Sequence, residues 1–327
     1  MDRLHKKQGV FAVVECLQCG FRYTNPRPTR KAIEDFYPKN YGPYRGEVPS
    51  EIDWFSKGSS LLVQFKNTLK YRVLTRYYDY QIRNRPLGSL VIKQLPEKVQ
   101  RLVERLAWRL FKMRNPRIPV FCGNGRVLDI GCGNGLYLSF LKSLGWDVTG
   151  FDIEDHIAPV LKETGVSVFT GNLEAFSAVR GTYDLITMWH VLEHLHEPLK
   201  DLKTIRKLLS DHGSILIEVP NSDSPAAKLF RSDWYQWDLP RHLSHFTPQS
   251  LIRMLNESGF RVRDIIHLRR STLPLSLKYW IDKKKSLNHL TFLTNQDRYG
   301  RILRFFDHIY SFGRSGENIL VAAELQL

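Results

Sequence analysis

The sequence predicts an α/β protein built on a Rossmann-like, mostly parallel sheet with helices on both faces. Three observations carry this. From Arg126 onward, short apolar runs rich in Val, Ile and Leu alternate with stretches of helical periodicity, the pattern of successive βαβ units. The first run passes directly into a glycine-rich turn, "RVLDIGCGNG". An acidic residue, Asp152, ends the next run about twenty positions further on, the spacing at which such folds hold a ribose.

Each element follows in order. "RVLDI" is a buried strand, and "LYLSFLKSLG" after the turn has helical spacing closed by Gly145. "DVTGFDI", "VSVFTGN", "YDLITMW" and "GSILIEVPN" are the next four strands, with a helix over "PLKDLKTIRKLLS" before the last of them. A helix over "DIEDHIAPVLKE" is the alternative use of Asp152, as its cap. "TPQSLIRMLNESG" is a further helix, and "FRVRDIIHL" and "ENILVAAEL" complete seven strands.

Composition bounds the class. The 327 residues, 43% hydrophobic and 25% charged, can bury a sizeable core. No apolar run reaches the roughly 18 to 20 residues of a membrane span, and "VFAVV" is too short for a signal-peptide core, so a cytoplasmic address is expected. The net charge of +15 is unevenly placed. Residues 1 to 120 hold 24 Lys and Arg against 10 Asp and Glu, residues 121 to 266 hold 14 against 18, and residues 267 to 327 hold 10 against 5. A mildly acidic core is expected between basic attachments: a segment over 1–45, a basic helical cap over 46–120, and a core over 121–327 with a helical insertion at about 270–314.

In the turn Asp129-Ile-Gly131-Cys-Gly133-Asn-Gly135, glycines let the backbone approach a ligand and enter a helix whose N-terminus is partially positive. NAD-binding folds use a similar signal. Here the spacing is G-x-G-x-G, and Asp129 stands two residues before the first glycine, where a carboxylate can meet an ammonium group that a dinucleotide lacks.

These residues, with "VTGFDI", "YDLITMWHVLEHLHEP", "GSILIEVPN" and "LPRHLSHFTPQSLIRMLNESGF", resemble the class I S-adenosylmethionine-dependent methyltransferases. Within them the chain is similar to a bacterial methyltransferase-domain family associated with sugar, glycan and small-metabolite modification. The resemblance covers about residues 121 to 268 and the last strand. It implies that Asp129, Gly131, Cys132 and Gly133 line the amino-acid end of S-adenosyl-L-methionine, and that Asp152 binds the ribose with Ile153 against the adenine. The family commonly has Asp after the third strand; here Asn172 and Leu173 stand there. Trp189 and His190 would face the methionine part. Cys132 reads as a small buried filler, not a nucleophile.

"HVLEH" also spells H-x-x-E-H, a zinc-peptidase spacing. Chelation needs both histidines on one helical face, and the strand reading of 183–189 separates His190 from His194. No metal is therefore expected there, and His194 and His196 are expected to support the turn. In "WYQWDLPRHLSHF", Tyr235, Trp237, Arg241, His242 and His245 fall between strand and helix. Methyl transfer to oxygen usually needs a base. His242 or His190 is the candidate, with Arg241 contacting an anionic or hydroxylated acceptor, and bracing of the loop is the competing role.

"ECLQCGFRYTNPRPT" resembles the second half of a zinc ribbon that this family often carries. A structural zinc wants four ligands. Only Cys16 and Cys19 are present, so no bound zinc is expected. Amphipathic helices are expected over "LLVQFKNTLKYRVLTRYY", with Leu61, Phe65, Leu69 and Val73 in register, and over "EKVQRLVERLAWRLFKM", with Val99, Leu102, Leu106 and Leu110 apolar beside Arg101, Arg105 and Arg109. They read as a cap packed through the apolar residues, with a surface for anionic lipid, at the inner membrane face, as the alternative. Residues 269–314, rich in "RR", "KKK" and aromatics, could extend that surface. No recognised nucleic-acid module appears. The expected function is methylation of an oxygen on a sugar, glycan or small metabolite. An RNA methyltransferase, or a binding protein that keeps the fold without turnover, is the alternative.

Overall fold

The computed structural model describes residues 9–37, 55, 60–82, 96–153, 165–179, 181–268, 272–283 and 316–326. The chain forms two compact units. The larger comprises residues 1–45, 171–182 and 186–327, and the smaller comprises 46–170 and 183–185. The 1–45 segment thus belongs to the unit holding most of the second half of the chain, and the 46–120 segment to the unit holding the glycine turn.

The chain opens with a hairpin of β1 (Ala12–Glu15) and β2 (Arg22–Asn25), followed by a single helical turn, α1 (Arg30–Ile33), which Thr29 caps through its side chain. Helices α2 (Leu61–Tyr77) and α3 (Glu97–Arg114) come next. Then β3 (Arg126–Ile130), α4 (Leu136–Ser143), β4 (Asp147–Asp152) and β5 (Ser167–Thr170) form the parallel part of the smaller unit. Beyond it run α5 (Leu173–Val179), β6 (Tyr183–Trp189), α6 (Pro198–Arg206), β7 (Leu209–Pro220), α7 (Pro225–Phe230), the two-residue β8 (Ser244–His245), α8 (Pro248–Glu257), β9 (Phe260–Leu268), α9 (Leu273–Lys283) and β10 (Asn318–Leu325).

The seven expected strands form one mixed, mostly parallel sheet in the order β5-β4-β3-β6-β7-β10-β9. The last strand is antiparallel to both neighbours. Parallel strands buried on both faces need unbroken apolar runs, and β6 is buried from Tyr183 to Met188. Helix α8 begins at a capping box between Thr247 and Ser250 with Pro248 in its first turn, a start signal readable in "TPQS". The helix expected over 198–210 stops at Arg206, because Leu208 and Leu209 are buried and the chain is already extended as β7 from Leu209. The helix expected over "DIEDHIAPVLKE", residues 269–271, and most of the 270–314 insertion beyond α9 lie outside the described residues.

Two glycines hold the smaller unit together. A Cβ on Gly150 would meet the Cys132 sulfur at 2.8 Å and Leu138 Cδ1 at 2.9 Å, so this position lets α4 close onto β4. Gly123, at φ +55, would meet the Asp184 carboxylate at 2.2 Å. That carboxylate accepts from the backbone N–H groups of Asn124 (2.9 Å) and Arg126 (3.0 Å), fixing the start of β3.

Both expected amphipathic helices exist, but α3 packs by another face than the sequence suggested. Val99, Leu102, Leu106 and Leu110 are 40–57% exposed. The helix turns Glu104 and Trp108 to α2 instead: buried Glu104 pairs with Arg72 and Arg76, and Trp108 stacks on Tyr77 at 5.3 Å. In α2, Val73 and Leu74 are buried, while Leu61 is 72% exposed.

Candidate functional site

In the smaller unit, the turn after β3 is a run of left-handed glycines. Gly131, Gly133 and Gly135 have φ of 72°, 52° and 72°. Only glycine adopts this region readily at successive alternate positions, which explains the G-x-G-x-G spacing. The turn is tied to β4 by Gly131 N–H donating to Phe151 O (2.7 Å) and Gly133 N–H donating to Asp152 Oδ2 (2.9 Å). Asp129 and Asp152, ending adjacent parallel strands, are 2% and 4% exposed. Ile153, the next residue, is 74% exposed. Cys132 is buried, and burial pushes its thiol well above the ordinary range, helped by Asp129 and Asp152, which disfavours the thiolate.

This cradle fits S-adenosyl-L-methionine by its chemistry. Two buried carboxylates beside an exposed aliphatic residue suit a ligand with an ammonium group, ribose hydroxyls and an apolar base. Glycines without side chains leave room for the ligand.

In the larger unit, Asn172 caps α5: its Oδ1 accepts from the N–H groups of Glu174 (2.8 Å) and Ala175 (3.2 Å), with Leu173 half-buried beside it. Trp189 ends β6 and is half-buried. His190 then adopts φ 58°, a left-handed conformation costing about 1–3 kcal/mol in a non-glycine residue and concentrated at functional sites. This turns the strand into a tight turn over Leu192–His194. His190 and His194 therefore share no helical face, as the strand reading required.

The side chains around this turn form a network. His190 Nδ1 lies 3.1 Å from Glu193 Oε1 and its Nε2 3.2 Å from Glu218 Oε1, both carboxylates fully buried. Asn318 Nδ2 donates to the same Glu218 oxygen at 2.8 Å. Burial alone would lower the His190 pKa, but hydrogen bonds to the two carboxylates outweigh it and raise it to about 9. Both ring nitrogens thus face carboxylates, and Asn318 Nδ2 lies 3.0 Å from Nε2 as well. A ring held between two carboxylates favours the protonated form, which weighs for His242 over His190 as the base.

His242 is set differently. Its Nδ1 lies 2.9 Å from Gln236 O. A carbonyl only accepts, so Nδ1 donates, and Nε2 carries the lone pair of the neutral ring. That Nε2 lies 4.0 Å from Glu193 Oε1 and 3.8 Å from Asp238 Oδ2. Burial would raise both carboxyls, but His190 beside Glu193 and Arg241 beside Asp238 hold them below the ordinary range. His194 points its Nδ1 at Arg241 O (3.0 Å) and Tyr37 Oη (2.8 Å). Its pKa is lowered to about 4, first by burial and then by His242. Glu193, His194 and His242 place potential ligand atoms within 4.8 Å of one another, and buried Glu193 Oε2 has no hydrogen-bond partner among the described residues. The set can receive either a proton or a cation.

Arg241, expected at the acceptor, is turned into the fold. It is fully buried, ion-paired to Asp238 and donating to Phe36 O at 3.1 Å. Its guanidinium is spent inside the fold, bracing the loop against the N-terminal segment. That segment is the site's other wall. β8 pairs with β2 to make a three-stranded sheet, β1-β2-β8. The Thr24 hydroxyl donates to His242 O (2.6 Å) and lies 3.0 Å from His245 Nε2. Burial drives the His245 pKa well down, so it is a neutral brace. Trp237 packs edge-on against that ring, and half-buried Tyr235 donates its backbone N–H to Ser276 Oγ at 3.0 Å. His196 bonds Pro28 O at 3.1 Å. At the hairpin tip, Gly20 N–H donates to Cys16 O, and N–H groups of Cys19 and Gln18 lower the Cys16 thiol pKa.

Glu193 entered the sequence reading only as part of the H-x-x-E-H spacing, and Glu218, Asn318, Asp238 and Tyr37 were not singled out. A glutamate within the apolar run "ILIEVPN" was the readable signal for Glu218, since a charge in a buried strand needs a partner.

Glycine cradle, paired carboxylates and sheet order define the class I S-adenosylmethionine-dependent methyltransferase fold. A methyltransferase-domain family model matches residues 91–265, more than half of the chain, and the protein belongs to that family. It is an S-adenosylmethionine-dependent methyltransferase. It is 28% identical over 184 residues to the ubiquinone biosynthesis O-methyltransferase of Psychrobacter arcticus, covering 50% of this chain and 69% of that one. To the enzyme of the same name from Pseudomonas aeruginosa strain UCBPP-PA14 it is 28% identical over 179 residues, covering 50% and 76%. A solved structure of an S-adenosylmethionine-dependent methyltransferase from Archaeoglobus fulgidus aligns with 24% identity over 66% of this chain and 93% of that one, at a TM-score of 0.43.

Proposed function

We propose that the protein methylates a hydroxyl oxygen on a sugar, glycan or other small metabolite, with His242 as the general base. The observation that carries this is the His242 setting: Nδ1 is held by the Gln236 carbonyl, and the Nε2 lone pair lies 3.8–4.0 Å from two carboxylates. Those charges stabilise the imidazolium formed when Nε2 takes the hydroxyl proton. The cofactor supplies an electrophilic methyl group on a sulfonium, and the acceptor oxygen needs only positioning and removal of its proton. Charged His190, 32% exposed through its side chain, supplies positive charge to an acceptor oxygen as it sheds that proton. Asp129, Gly131, Cys132 and Gly133 would hold the amino-acid end of the cofactor. Asp152, Ile153, Asn172, Leu173 and Trp189 would hold the rest. The relatives from Psychrobacter arcticus and Pseudomonas aeruginosa are O-methyltransferases, which supports an oxygen acceptor.

The test is a panel of hydroxylated acceptors and RNA with radiolabelled methyl donor, run on the wild type and on His242→Ala. Base removal typically costs 10²–10⁴-fold, so turnover should fall by about that factor while cofactor affinity, read by calorimetry, is unchanged. Full turnover in the variant would refute the base, and label in RNA alone would refute the acceptor class.

A further inference from the structure

No helix among the described residues is long and apolar enough to cross a membrane. Helix α3 nevertheless has an arrangement that neither the cofactor cradle nor the histidine network uses. With about 100° of rotation per residue, its side chains sort into three faces. One face, with Gln100, Val103, Glu104, Ala107, Trp108 and Phe111, is wholly or partly buried and includes the contacts to α2. A second carries Lys98, Arg101, Arg105, Arg109 and Lys112, all exposed. The third carries Val99, Leu102, Leu106, Leu110 and Met113, exposed by 40%, 57%, 50%, 54% and 77%. The five apolar residues fall within an arc of about 80°, and the five cations fill the neighbouring arc of about 80°.

We infer that α3 docks the protein on an anionic lipid surface, laying the apolar stripe into the acyl boundary and the cation row against the headgroups. A soluble helix normally turns its apolar stripe inward. Here the inward face contains a buried glutamate, and the outward face is apolar over its whole length. An adjoining cation row of the same length is what an interfacial helix presents to acidic phospholipid. Within α3 the acidic residues are Glu97 at the start, paired with Arg101, and Glu104, paired with two arginines of α2. Neither places unbalanced negative charge beside the stripe. Docking of this kind suits an acceptor that is itself lipid-linked, but does not depend on which atom is methylated.

The test is flotation of the full chain with vesicles of phosphatidylcholine mixed with phosphatidylglycerol and with vesicles of phosphatidylcholine alone. Binding is expected only to the mixed vesicles and should weaken at high salt. With each surface cation worth about 1 kcal/mol, changing Arg101→Gln, Arg105→Gln and Arg109→Gln together should weaken it roughly 100-fold. Changing Leu102→Ser, Leu106→Ser and Leu110→Ser should abolish it. Both variants alter exposed side chains and should keep wild-type cofactor affinity, which also separates failure here from failure of the methyl-transfer reading. Equal flotation with both vesicle types, or undiminished binding by either variant, would overturn the inference. So would a dimer in sedimentation that the leucine variant dissociates with no effect on vesicle binding, since a second copy would then cover the stripe.

Discussion

The glycine turn and the histidine network are built on opposite plans. The turn is made by backbone: three left-handed glycines and N–H groups aimed at Phe151 and Asp152, all within about twenty residues of chain. The network is made by side chains drawn from residues 37, 190, 193, 194, 218, 238, 242 and 318, which hold one another by hydrogen bonds and ion pairs. A backbone site tolerates almost any neighbour but no side chain in the turn itself. A side-chain site tolerates conformational cost, such as His190 at φ 58°, because buried carboxylates hold the ring in place.

The two plans should fail differently. The largest effect is expected from Gly131→Val, which puts a β-branched residue at φ 72° and a side chain into the cradle. About 3 kcal/mol of strain and obstruction corresponds to roughly 100-fold weaker cofactor binding by calorimetry. Gly150→Ala should leave the turn's sequence intact yet cost about 1–3 kcal/mol in denaturant unfolding, because Cys132 and Leu138 must give way. If it is silent, the close packing of α4 on β4 is not what holds the cradle.

The network should instead respond to pH. The His190 pKa is raised above its unfolded value, so its contribution to stability is complete below about 6.5 and is lost as pH rises to about 9. For His194 the pKa is lowered, so its contribution is complete above about 6.5 and is lost as pH falls to about 4. Melting temperature against pH should therefore sag on both sides, and Glu218→Gln should flatten the alkaline side alone. A smaller effect is expected from Thr24→Val, which removes the hydroxyl bond to His242 O and leaves a buried acceptor unsatisfied, about 1–3 kcal/mol. The smallest effect should follow chelation. If Glu193, His194 and His242 serve a proton, dialysis against a chelator leaves turnover unchanged and mass spectrometry finds no stoichiometric metal, at this set or at Cys16 and Cys19.

What was legible in the sequence follows the same division. Strands β3 to β7, β9 and β10 and the glycine turn are specified by neighbours in the chain, and residues 126–135 alone announce the cradle. The network was half legible: His190 and His242 stood out by type, but not their states. Nothing local shows that Glu218 and Glu193 would both reach His190, or that Asp238 would consume Arg241. Helix α3 marks a different boundary. Its 3.6-residue period was readable, yet period says only that one face is apolar, not whether that face turns inward. Buried Glu104 and the Tyr77–Trp108 stack decided that.

The position of β10 bears on how the chain is made. It follows both of its partners in the chain, and it is inserted between β7 and β9 with hydrogen bonds to both. Until residues 318–325 emerge, those two strands wait with unpaired edges, the condition that invites mispairing and aggregation. A stop codon before residue 318 would therefore part β9 from β7 inside the sheet instead of trimming an edge strand.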